Sequence, residues 1–100
     1  MSGLTHAFQR ADAARGAIAG IVAAVADAEI DLPAAFVRAD GDSLIGRCFA
    51  VKVFEAVPGI GKVRARRTMA AIGLADDVWL GDVDHDQRQA IVAAFESAAQ

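Results

Sequence analysis

Apolar and polar residues alternate with a helical period along most of the chain. Leu4, Phe8, Ala11, Ile18, Ile21, Val22 and Val25 form a mostly helical stripe. It predicts a long first helix, capped by Ser2 or Thr5 and ending near Ala28. Gly16 and Gly20 weaken that helix locally or let it pack closely. Asp31-Leu32-Pro33 starts a short helix, Pro33 to Ala39, that buries Phe36 and stops at Asp40-Gly41. Asp42 or Ser43 caps a third helix predicted over Leu44 to Val57. Leu44, Ile45, Cys48, Phe49, Val51, Val53 and Phe54 make it apolar on most sides, so it is the expected centre of the molecule. Pro58 stops it, because the ring fixes φ and the residue before it leans extended. A fourth helix runs from Lys62 to Ile72, with Ala65, Met69 and Ile72 on one arc and Gly73 as its stop. A loop with a short helical turn follows, Ala75 to Asp86. The last helix, Gln87 to Ala98, places Ala90, Ile91, Ala94, Phe95 and Ala98 on one face, with Arg88 and Glu96 on the polar side. No run alternates with period two between turns. The expected class is all-α.

Composition narrows this little. The chain has 100 residues and is 55% hydrophobic, enough for one domain with a core. Much of that fraction is Ala, so the core is expected to be thin. A single cysteine, Cys48, makes no internal disulfide and reads as a small buried hydrophobe in a cytoplasmic protein. No signal peptide is legible. The longest uncharged stretch, Gly16 to Ala26, is 11 residues, too short to span a bilayer.

Charge matters more once it is divided. The net charge is −3, which by itself argues against a nucleic-acid partner. Residues 1–46 carry three basic and six acidic side chains, and residues 68–100 carry one and six. Residues 47–67 carry six basic and one acidic, a net +5. Local field outweighs net charge for a phosphate contact. Inside the basic segment, Pro58-Gly59-Ile60-Gly61 turns the chain. Its glycines allow positive φ and close approach, and its N–H groups feed a helix N-terminus, which makes an anion site. Lys62, Arg64, Arg66 and Arg67 follow at once. The expected result is a clamp on a phosphate backbone that does not read bases.

The stretch V-P-G-I-G-K-V-R-A resembles a helix-hairpin-helix DNA-binding turn. From Asp31 to Phe95, without gaps, the chain is similar to the actinobacterial type of integration host factor. The positions that carry this include Leu32, Ile45-Gly46-Arg47, Glu55, Pro58 through Ala65, Met69, Leu74-Ala75, Leu80, Gln87-Arg88, Ala90 and Phe95. The resemblance implies a helix-two-turn-helix domain over residues 31–100, preceded by an N-terminal helix over residues 1–30. It implies a non-enzymatic, nucleoid-associated protein that binds double-stranded DNA, organises the chromosome, and bends DNA or assists site-specific recombination. Gly59, Ile60, Gly61, Lys62, Arg64, Arg66, Arg67 and Arg47 are then the expected DNA-binding residues. No metal and no cofactor are called for.

Two departures stand out. The family's first helix is rich in Lys and Arg, whereas only Arg10 and Arg15 occur here, beside Asp12, Asp27 and Glu29. Family arginines also align with Val78, Trp79 and Gly81, where this chain has none; Asp76, Asp77, Asp82, Asp84 and Asp86 crowd the same loop around His85. Near a groove they would repel phosphate. The loop therefore turns away from DNA, leaves binding to the hairpin alone, or serves a protein partner together with Trp79. That last option is the alternative function, an interaction module with weak or no DNA binding. Trp79 reads either as a stacking wedge or, the preferred expectation, as a cover over the core. The Asp-rich run lacks the glycine and twelfth-position Glu of a calcium loop. A hairpin followed by Val-Asp also suggests a base-excision glycosylase using Asp82 or Asp84. The chain is too short to build that base pocket.

Overall fold

Short acidic side chains set the first helix starts of the module. Asp31 Oδ1 accepts from the Ala34 N–H at 3.0 Å and Asp42 Oδ1 from the Leu44 N–H at 2.9 Å, as expected of N-caps. The structure, a computed structural model, describes the backbone of residues 2–99 and the side chains of residues 13 and 15–96. Its order is α1 (Ser2–Ala26), α2 (Leu32–Gly41), α3 (Ser43–Gly46), α4 (Ala50–Ala56), α5 (Gly61–Ile72), a 3-10 turn (Leu80–Asp82) and α6 (His85–Ala99). The all-α expectation holds. The side chains expected to cap α1, and Leu4, Phe8, Ala11, Arg10 and Ala98, lie outside the described side chains.

The C-terminal part of α1 folds back onto α3 and α4. Ile21, Ala24 and Val25 are buried there. The turn that follows α1 passes through Ala28, a left-handed residue with φ 58°, and the Glu29 N–H reaches back to the Ala24 carbonyl at 2.9 Å. Phe54 centres the core. Its ring meets Phe36 at 6.1 Å and Phe95 at 5.8 Å, both edge to face.

The continuous helix expected over Leu44–Val57 is instead two helices. Between them the Ala50 N–H donates to the Val78 carbonyl at 2.9 Å, and the Leu80 N–H donates to the Cys48 carbonyl at 2.8 Å. These bonds form an isolated antiparallel bridge between Phe49 and Trp79. An unbroken helix would need the Ala50 N–H for its own ladder, so the loop wins the donor. Two glycines bring the segments together. A Cβ on Gly46 would lie 2.8 Å from the Ala39 carbonyl oxygen, and one on Gly81 3.1 Å from the Gly46 carbonyl oxygen. The short helical turn expected in the loop is present as a 3-10 turn, with Leu80 and Val83 buried.

The last helix starts two residues earlier than expected. Asp84 Oδ1 accepts from the Gln87 N–H at 2.8 Å, and Gln87 Oε1 accepts from the Asp84 N–H at 3.1 Å. That reciprocal capping box assigns Asp84 a structural job at the start of α6. Ile91 and Phe95 face the core, but Ala90 is exposed. Arg88, expected on the polar side, turns inward. It pairs with both oxygens of Asp40 at 2.7 and 2.8 Å, and its Nε donates to the Val83 carbonyl at 2.7 Å. It also donates to the Gly81 carbonyl at 3.3 Å and covers the Phe36 ring at 4.9 Å. The Arg88 hydrogen bonds hold the Asp40 carboxyl below the ordinary aspartate range. Burial pushes the Cys48 thiol up.

Candidate nucleic-acid interface

Pro58 ends α4, and the chain reverses through two left-handed glycines, Gly59 at φ 85° and Gly61 at φ 73°. Gly61 opens α5, but its φ is not helical, so regular helix starts at Lys62. A Cβ at either glycine would meet nothing within 4 Å, so the surface in front of the turn is open. Ile60 anchors the turn. Its side chain is buried, and its N–H donates to the Val57 carbonyl at 3.1 Å. Of the three expected amide donors, Ile60 is therefore already engaged within the turn.

No side chain caps the start of α5. The first-turn amides of a helix have no acceptor inside it and carry partial positive charge. Gly59, Ile60, Val63, Arg64 and Arg67 line a concavity of about 340 Å³ at this tip. Ala65 and Met69 are fully buried behind it. The helix thus keeps an apolar stripe on the core and presents cations opposite, as the periodicity predicts.

The eight expected residues do not converge on one spot. Arg64 and Arg67 share the tip concavity with Gly59 and Ile60. Lys62 is exposed beside it. Arg66 leans towards α4, its Nε 3.4 Å from Glu55 Oε1, an ion pair whose arginine is 56% exposed. The Glu55 side chain is only 11% exposed, so the pair holds Arg66 towards α4 and away from the tip. Arg47 sits at the opposite end of α4, with its guanidinium 5.9 Å from the Trp79 ring centroid.

Trp79 does not cover the core. It is 43% exposed, and Phe49 beside it is 47% exposed. The periodicity places Phe49 on the apolar surface of a continuous helix; the break after α3 brings it out. Among the described residues, no group of three or more His, Cys, Asp or Glu side chains is placed to hold a metal ion. No described helix is long and apolar enough to cross a membrane.

Comparison with curated proteins gives no match. The fold is similar to the solved structure of sIHF bound to an 8-base-pair palindromic DNA, with a TM-score of 0.77. The two share 22% identity over 90% of this chain and 98% of that one, a likeness of fold. The description of the S13-like H2TH domain matches residues 25–95, from the end of α1 through Phe95, and the chain belongs to that family.

Proposed function

We propose that this protein binds duplex DNA by its phosphate backbone, without strong sequence preference, and works in the nucleoid as an architectural protein. The observation that carries the reading is the uncapped start of α5, where Arg64 and Arg67 flank an open concavity at the hairpin. Gly59 and Gly61 supply close backbone approach, with Lys62 adding charge from the side. Charge-assisted bonds from such a cluster grip phosphate and leave base edges unread. That sIHF, a protein of like fold, is bound to DNA in its solved structure supports the same reading. Bending of the duplex and assistance to recombination belong to this proposal as its downstream roles.

Fluorescence anisotropy of a labelled mixed-sequence duplex, titrated at several salt concentrations, tests it. The wild type is expected to bind with log K falling linearly in log salt. A Lys62→Ala/Arg64→Ala/Arg67→Ala variant of unchanged helicity is expected to flatten that slope by up to about 2.7, near 0.9 per lost contact. Absence of wild-type binding at low salt would sink the proposal.

A further inference from the structure

The bridge between Phe49 and Trp79 does more than split a helix. The two bonding amides belong to the residues that follow, Ala50 and Leu80. Phe49 and Trp79 are therefore a non-hydrogen-bonded antiparallel pair, the geometry that sets two side chains closest together on one face. Both rings remain a little under half exposed, although the Arg47 guanidinium lies 5.9 Å from the Trp79 ring centroid. Together with Asp77 and Asp82 they line a cleft of about 390 Å³. Both carboxylates are exposed. Arg47 approaches the Trp79 ring but is not part of the lining.

We propose that this cleft receives a lysine or arginine side chain from a basic segment of a partner protein. Aromatic faces attract a cation through their quadrupole, and carboxylates on the rim complete the charge match. Asp76 of the same loop adds a further negative charge against that of Arg47 beside Trp79, so the carboxylates still outnumber the cation and the surface favours a cation over a phosphate. The position fits a role beside DNA binding. Phe49 precedes α4 and the hairpin follows it, so the cleft and the hairpin occupy opposite ends of the α4–α5 pair. A duplex on the hairpin leaves the cleft free for a second partner. The inference stands on residues other than the hairpin's, so either reading can fail alone.

Trp79 is the only tryptophan, so its emission reports on the cleft directly. The full chain would be titrated with an amide-capped tetralysine peptide, with tetraglutamate as the charge control. The expected result is a saturable change in emission, half-complete at a concentration on the order of 1 mM, as suits a small exposed site. An Asp77→Asn/Asp82→Asn variant should bind several-fold more weakly, and a duplex added to the wild type should leave the peptide response in place. The proposal is overturned if tetralysine produces no saturable change, or an equal one in the variant. It also fails if duplex alone moves the emission, which would make the rings a DNA contact. Spermidine binding as tightly as tetralysine would assign the cleft to free polyamines instead. Emission that shifts with protein concentration alone would assign it to a second copy of the chain.

Discussion

Single residues carry strain and charge here in ways that can be measured. Ala28, in the turn that follows α1, lies in the left-handed region at φ 58°, where a Cβ crowds the backbone. Glycine has no such penalty, and its extra entropy in the unfolded chain offsets part of the gain. Ala28→Gly is therefore expected to stabilise the protein by roughly 0.5–1 kcal/mol in urea denaturation, whereas Ala28→Val destabilises it. Arg88 shows the opposite case, a residue that cannot be replaced cheaply. Its side chain is 19% exposed and serves two carbonyls, one carboxylate and one ring. Arg88→Met keeps the apolar stem over Phe36 but strands the Val83 carbonyl, which costs about 1–3 kcal/mol. The pH dependence follows from Asp40. Its folded pKa is lowered first by the Arg88 hydrogen bonds, so its contribution is present above the unfolded carboxylate range and is lost as pH falls through the lowered folded value. Wild-type stability should drop below about pH 4 more steeply than that of Arg88→Met, as read from melting temperatures across the acid range.

At the scale of elements, the loop after α5 is a structural strap. Its backbone bonds into the break between α3 and α4, its 3-10 turn buries Leu80, and Gly81 lies against Gly46. A Cβ at Gly81 would press on Gly46 backbone, which cannot swing aside like a side-chain tip. Gly81→Ala should cost about 1–3 kcal/mol, and an arginine there more, because its Cβ would already crowd the Gly46 backbone at 3.1 Å. Much of the element pattern was legible because its signals are local. Asp31 and Asp42 cap the starts that their positions suggest, and Gly59 and Gly61 take the positive φ that the hairpin needs. What escaped the sequence depends on distant partners. At the break over residues 47–49 the backbone bonds instead to Val78 and Leu80, some thirty positions away. Arg88 finds Asp40 across a separation of 48 residues. Phe49 and Trp79, both apolar in pattern, are drawn to the surface by the bridge between them. The hairpin turn could thus be read from sequence, as could Trp79 with the acidic loop, whereas the pairing of Phe49 with Trp79 could not.

At the scale of the whole molecule, the hairpin cations and the loop carboxylates are held apart. The hairpin cations crowd the start of α5, and the loop carboxylates lie beyond its end and beside the start of α4. The seven residues of α4 and twelve of α5 set the two groups about 10–18 Å apart at a rise of 1.5 Å per residue. At about 15 Å in water, a carboxylate and a phosphate repel by only about 0.3 kcal/mol before screening. Physiological salt has a Debye length of about 8 Å, so most of that repulsion is removed. The acidic loop, so prominent in the sequence, should therefore tax DNA binding little under ordinary conditions. At ionic strength near 0.01 M, the screening length grows to about 30 Å and the loop comes into range. Neutralising it with Asp76→Asn/Asp77→Asn/Asp82→Asn is expected to change duplex affinity less than about twofold at 0.15 M salt, but to raise it several-fold near 0.01 M. The check is the same anisotropy titration run at both salts. An equal gain at high salt would mean that the carboxylates touch the duplex, and would place the loop beside the DNA rather than behind it.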